Sequence, residues 1–198
     1  MSDAATGPAL RLSCQPSRAG NVLVFPYTLE NQGPGEVYAM HALPSADPAS
    51  GAARANDATP VVIASDTGDA IIGKFAAPLP GDRRIAVPVF PLARRLPAGA
   101  KLEGRIEIPL PLAETSPYFP DLTLRQYEIV EIKGVVFTIG YWLAGIDGLT
   151  AVPADYAPEL FAVVTRNTLR SARRVSQRFP TSGLQLFKRN DAFPRSFG

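Results

Sequence analysis

YEIVEIKGVVFTIGYWL, residues 127–143, decides the fold class of this chain. From Val135 onward the odd positions Val135, Phe137, Ile139, Tyr141 and Leu143 are large and apolar, while Val136, Thr138, Gly140 and Trp142 are smaller or mixed. Alternation with period two, rich in β-branched and aromatic residues, marks a strand. The 17 residues at roughly 3.3 Å each would reach ~56 Å, far beyond an ordinary strand. A break is therefore expected at Lys133-Gly134, as a hairpin turn or a bulge. Glu131 and Lys133 interrupt the run, and the charge-free remainder falls short of the roughly 20 residues of a membrane span. The segment reads as core: a one-sided packing of Phe137, Ile139 and Tyr141 against Ile106 and Ile108.

Working outward, residues 10–14 alternate as a short first strand, and NVLVFPYTLEN (21–31) alternates again, with Pro26 removing one ladder donor. The turn cluster 31–35 then leads into EVYAMHAL (36–43), which predicts an antiparallel hairpin. Residues 44–59, small, polar and rich in Pro, Gly and Ala, predict a long exposed loop. Strands are expected at 60–65 and 70–75, joined by the turn 66–69, and at 84–90. KLEGRIEIPLPL (101–112) sets Ile106, Ile108, Leu110 and Leu112 against Arg105, Glu107, Pro109 and Pro111, a strand with one face in the core. Residues 160–165 and 184–187 predict two more short strands, and RNTLRSARRVSQRF (166–179) has the most helical composition in the chain.

Twenty prolines and 16 glycines punctuate the 198 residues, which suits short strands and turns and leaves little room for long helices. The expectation is an all-β chain, an antiparallel β-sandwich, with residues 1–159 as its core and 160–198 as a basic C-terminal extension of the same domain. The first hairpin, an alternating strand running into Asn-Gln-Gly and back out, resembles the opening of many immunoglobulin-like domains; the resemblance implies general architecture and nothing about function. With one cysteine, Cys14, an internal disulfide is excluded and no oxidising compartment is needed. No secretory leader is read in the first residues, and a cytoplasmic location is expected.

Chemistry is sparse. His41 is the sole histidine and shares a strand face with Val37, Ala39 and Leu43, so it reads as a satisfied, half-buried structural residue. Cys14 lies in an apolar strand pattern and reads as a buried structural thiol. There is no G-x-S-x-G elbow and no Gly-rich phosphate loop. One His and one Cys make a zinc site improbable, and the turn 66–69 lacks the oxygen donors of a calcium loop. Glu103 and Glu107, four apart on a strand, stand about 13 Å from each other, too wide for a glycosidase pair. No catalytic residue, metal or cofactor is assigned.

What remains is charge. Residues 160–198 carry eight Arg or Lys against one acid, a net of +7, while the first 159 carry 12 basic against 17 acidic groups, a net of −5. Arg166, Arg170, Arg174 and Arg178 are spaced so that they share one face whether the segment is helix or strand, and Arg173 stands beside them. Phe179, Phe187, Phe193 and Phe197 add apolar anchors, and Arg with aromatics is the usual composition of interface hot spots. The reading is a non-enzymatic module that binds another protein, or a second copy of itself, through these residues. One alternative is an enzyme of unrecognised type with an acid, Tyr and Arg pocket. The other is a polyanion or nucleic-acid binder, against which stands the absence of aromatic interleaving within the stripe. The bland counterpart is a segment folded back on the chain's own acids.

Overall fold

The structure, a computed structural model, describes residues 10–79, 85, 87–118, 127–145, 148–165 and 168–189. Its strands are β1 (Leu10–Cys14), β2 (Ser17–Ala19), β3 (Val22–Asn31), β4 (Val37–Ala46), β5 (Ala53–Asn56), β6 (Val61–Ala64), β7 (Asp69–Lys74), β8 (Leu92–Leu96), β9 (Lys101–Pro109), β10 (Leu112–Ala113), β11 (Tyr127–Leu143), β12 (Thr150–Ala154), β13 (Ala157–Val164) and β14 (Arg173–Arg189); one helical turn, α1 (Thr168–Ser171), precedes the last strand. The smaller sheet centres on β3, with β9 along one side and β1 and β2 in succession along the other. The larger sheet runs β10-β14-β11-β4-β8-β13-β12, with β7 also on β11, β6 on β7 and β5 on β4. Among the described residues no helix is long and apolar enough to cross a membrane.

The two sheets share a core in which Phe25 of β3 stacks on Phe137 of β11, with ring centroids 5.1 Å apart. Ile106, Ile108, Phe137, Ile139 and Tyr141 are buried there, as the alternation requires. β9 keeps its other face in water. β11 does not, and the one-sided reading of that strand needs correcting: Trp142 and Thr138 are also buried. They lie on the outer face of the large sheet, where Trp142 joins a second cluster with Met40, Phe75 and Tyr118. Gly140 leaves the space that Met40 fills, since a Cβ there would fall 2.4 Å from its sulfur. The expected break is a bulge: the register with β14 shifts between Ile132 and Gly134, and Lys133 N–H donates to Gly68 O at 2.9 Å.

Several local expectations are overturned. β3 and β4 do not form a hairpin; they enter different sheets. Asn31, fully buried, explains the divergence: its side-chain amide donates to Gly35 O at 2.8 Å and to Leu96 O at 2.9 Å, and its Oδ1 accepts from Gly33 N–H at 3.0 Å. The turn is thus tied to the end of β8 as a corner between sheets. The immunoglobulin-like resemblance rested on that hairpin. Residues 44–59 are not one long loop, because β4 continues to Ala46 and β5 folds back on it. Of the strand expected at 84–90, residues 84 and 86 lie outside the described set, and 85 and 87–90 are not strand; the strand is β8, immediately beyond. Finally, the large sheet is mixed, with β7 parallel to β11 and β10 parallel to β14. Parallel neighbours need long crossovers, and the chain between β7 and β11 supplies one.

Candidate functional site

Residues 166–179 are mostly extended: α1 takes four residues and β14 begins at Arg173. β14 pairs with β11 from Arg173↔Tyr141 to Arg189↔Tyr127, which places the basic segment beside the central strand of the large sheet. Arg174 and Arg178 share the face that carries Gly140 and Val136. Each has an internal partner. Arg178 donates from Nε to Asp69 Oδ2 at 2.8 Å and from Nη2 to Oδ1 at 2.9 Å, a two-pronged pair that holds the Asp69 carboxyl below its usual range. The Arg174 guanidinium lies 5.0 Å from the centre of the Phe75 ring and donates to Ala76 O at 3.4 Å.

Arg170 on α1 and Arg173 at the start of β14 are exposed, and neither makes an ion pair or hydrogen bond among the described residues. Phe179 is half-buried against the inter-sheet core, and Phe187 packs on the Tyr127 ring at 6.3 Å. Arg166, Phe193 and Phe197 lie outside the described residues. The structure therefore separates the nine residues named from sequence: Arg174 and Arg178 serve the chain's own packing, and Arg170 and Arg173 face solvent.

Sequence reasoning missed a second cluster. Along β7, Ala70, Ile72 and Lys74 occupy one face, opposite Val135, Phe137 and Ile139 of β11, so Lys74 points into the inter-sheet core. Arg94 does likewise on β8, opposite Ala39. His41 of β4 sits where the pairing with β8 shifts between Met40 and Ala42. Lys74 is 7% exposed, and burial pulls its ammonium down to about 8, with Asp57 opposing the shift and Arg94 adding to it. Burial, with Lys74 and Arg94 behind it, lowers His41 to about 4, against the weaker pull of Asp57 and Glu159.

His41 is not the satisfied histidine expected: its Nδ1 is buried with no hydrogen-bond partner among the described residues, and so is Arg94 Nε. Cys14 is the structural thiol expected, buried and raised to about 11, with its backbone N–H donating to Gln177 Oε1 at 3.0 Å. The signal for the missed cluster was a lysine at a core-parity position of an apolar strand.

His41 and Lys74 line a cavity of about 10 Å3 with Thr59, Gly73, Phe75 and Pro91. That is room for about one water molecule. Two wider grooves, of about 270 and 310 Å3, run past Thr28 and Glu103 and past Arg18 and Gly183 respectively. Comparison of the chain with family models, with curated proteins and with solved structures finds no match in any of the three.

Proposed function

We propose that this protein is a β-sandwich binding module, without catalytic activity of its own, that docks an acidic protein surface through its basic C-terminal segment. The observation that carries the reading is the division among the arginines. Arg174 and Arg178 are pinned to the outer cluster and to Asp69, whereas Arg170 and Arg173 stand exposed and unpaired among the described residues. Exposed guanidiniums at the start of a braced strand and on the turn before it are pre-organised for bidentate pairing with carboxylates. The nearest acidic partner is a second copy, whose first 159 residues carry a net −5. Such an interface would be heterologous, head to tail.

Sedimentation velocity over a wide concentration range tests this, on the intact protein and on Arg170→Glu/Arg173→Glu, at about 50 and about 500 mM salt. The screening length falls from about 14 to about 4 Å across that interval, so pairing of exposed charges weakens. Association that fades with salt and with the reversal supports the proposal. A monomer at every condition removes the second copy as partner. Binding of polyglutamate that is undiminished by the reversal removes the basic face.

A further inference from the structure

We propose that the free edge of β9 pairs with the same edge of a second copy, joining two smaller sheets into one across a two-fold axis at Gly104. This surface is separate from the basic segment considered above. The assembly also differs in kind, because it closes at two copies whereas head-to-tail docking does not.

The backbone of β9 fixes which groups face that edge. Among the described residues β9 is bonded on one side only, to β3, in a register that runs without a shift from Lys101↔Glu30 to Pro109↔Val22. At one end Ala100 O accepts from Asn31 N–H at 3.0 Å, and at the other Leu110 N–H donates to Asn21 O at 2.7 Å. Even-numbered residues therefore bond to β3, and alternation turns the N–H and C=O groups of Lys101, Glu103, Arg105 and Glu107 outward. Beyond them, Pro109 has no N–H to offer, and Gly99 turns the chain with a φ of +74°. The usable window, Lys101 to Glu107, is thus centred on Gly104. Other edges are poorer templates: β2 has three residues, β5 has four, and β12 carries Pro153.

Charge then selects the partner. In an added antiparallel strand, an outward residue faces an outward residue and the two exchange both backbone bonds. Centred on Gly104, Lys101 meets Glu107 of the second copy and Glu103 meets Arg105. Symmetry repeats both, so all four pairs are of opposite sign. A slip of two residues one way sets Glu103 on Glu103 and Lys101 on Arg105; the other way sets Arg105 on Arg105 and Glu103 on Glu107. Each of those pairs is of like sign, which is destabilising directly across a sheet. An edge that only repels copies of itself carries one sign, often lysine, whereas this one is complementary to its own reversal. All four side chains are exposed. Arg105 Nε donates to Glu107 Oε1 at 2.6 Å and Lys101 Nζ lies 3.6 Å from Glu30, surface contacts of the kind that contribute little and can be shared.

Sedimentation velocity on the full chain at about 50 mM salt, up to about 1 mM protein, tests the pairing. The native protein should self-associate, and Arg170→Glu/Arg173→Glu, which removes the basic face, should still form a dimer and go no further. Glu103→Arg sets like charge against Arg105, and Arg105→Glu sets like charge against Glu103. Each counts twice by symmetry and should weaken the dimer about tenfold or more. Mixed in equal amounts, the two variants should bind each other more tightly than either binds itself, because each supplies the charge the other lacks; misfolding would give no such rescue. Hydrogen exchange reads the backbone: the amides of Glu103, Arg105 and Glu107 should gain protection as concentration rises, while those of Leu102 and Ile106, already bonded to β3, stay constant. A protein that remains monomeric to about 1 mM, single variants that dimerise like the native chain, or a mixture no tighter than its components would each overturn the proposal.

Discussion

Replacing Phe137 by alanine probes the contact that joins the two sheets. The ring is fully buried, stacked on Phe25 at 5.1 Å with 8° between planes, and tilted against Tyr27 at 5.3 Å. Burying a phenylalanine contributes about 1.5–3 kcal/mol by area, and each aromatic pair adds about 0.5–1.5 kcal/mol. Together these give roughly 2.5–6 kcal/mol, in line with the 3–5 kcal/mol typical of Phe→Ala in a core. Against a whole-domain stability of about 5–15 kcal/mol the loss is roughly a fifth or more. Urea titration followed by fluorescence of Trp142, the single tryptophan and fully buried, measures it directly. Ile129→Ala is the internal control, since that side chain on the same strand is 61% exposed and should change stability by less than about 0.5 kcal/mol. The slope of the transition should stay constant between variants. A Phe137→Ala loss below about 1 kcal/mol would refute the assignment of its face and the sheet-to-sheet stack with it.

Two further outcomes are expected. Gly73 has φ of +153°, and an added Cβ would lie 1.8 Å from Thr138 O on the adjacent parallel strand. Gly73→Ala should therefore cost about 3 kcal/mol or more, whereas Gly20→Ala, which meets nothing within 4 Å, should carry only a φ penalty of about 1–2 kcal/mol; parity of the two in a thermal melt would contradict the β7–β11 pairing. Asp69 is held below its ordinary value by Arg178, so its contribution is complete above about pH 4 and is lost as pH falls through its lowered value. Asp69→Asn should accordingly be less stable than the native protein at pH 6, with the gap closing below about pH 4 in urea titrations at stepped pH, and a gap independent of pH would show that the pair contributes nothing through charge.

Local pattern was enough for β9 and β11 and for the face each turns to the inter-sheet core. Alternation marks β9 and β11, and the parity of Phe137, Ile139 and Tyr141 carries through to the inter-sheet core because a strand's side chains can only alternate. The break at Lys133-Gly134 was legible because 17 residues far exceed an ordinary strand's length. Pairing partners were not legible, since a Gly-rich turn after an alternating strand serves a hairpin and a corner between sheets equally well. Here the choice fell to Asn31, whose amide is satisfied by Leu96 O, 65 residues away. The arginine spacing showed which side chains share a face, but only the fold brought Asp69 to Arg178 across 109 positions and left Arg170 and Arg173 outside. Likewise His41, Lys74 and Arg94 belong to three strands, each unremarkable in its own alternation; their shared, buried surroundings exist only once β4, β7 and β8 are packed in one sheet.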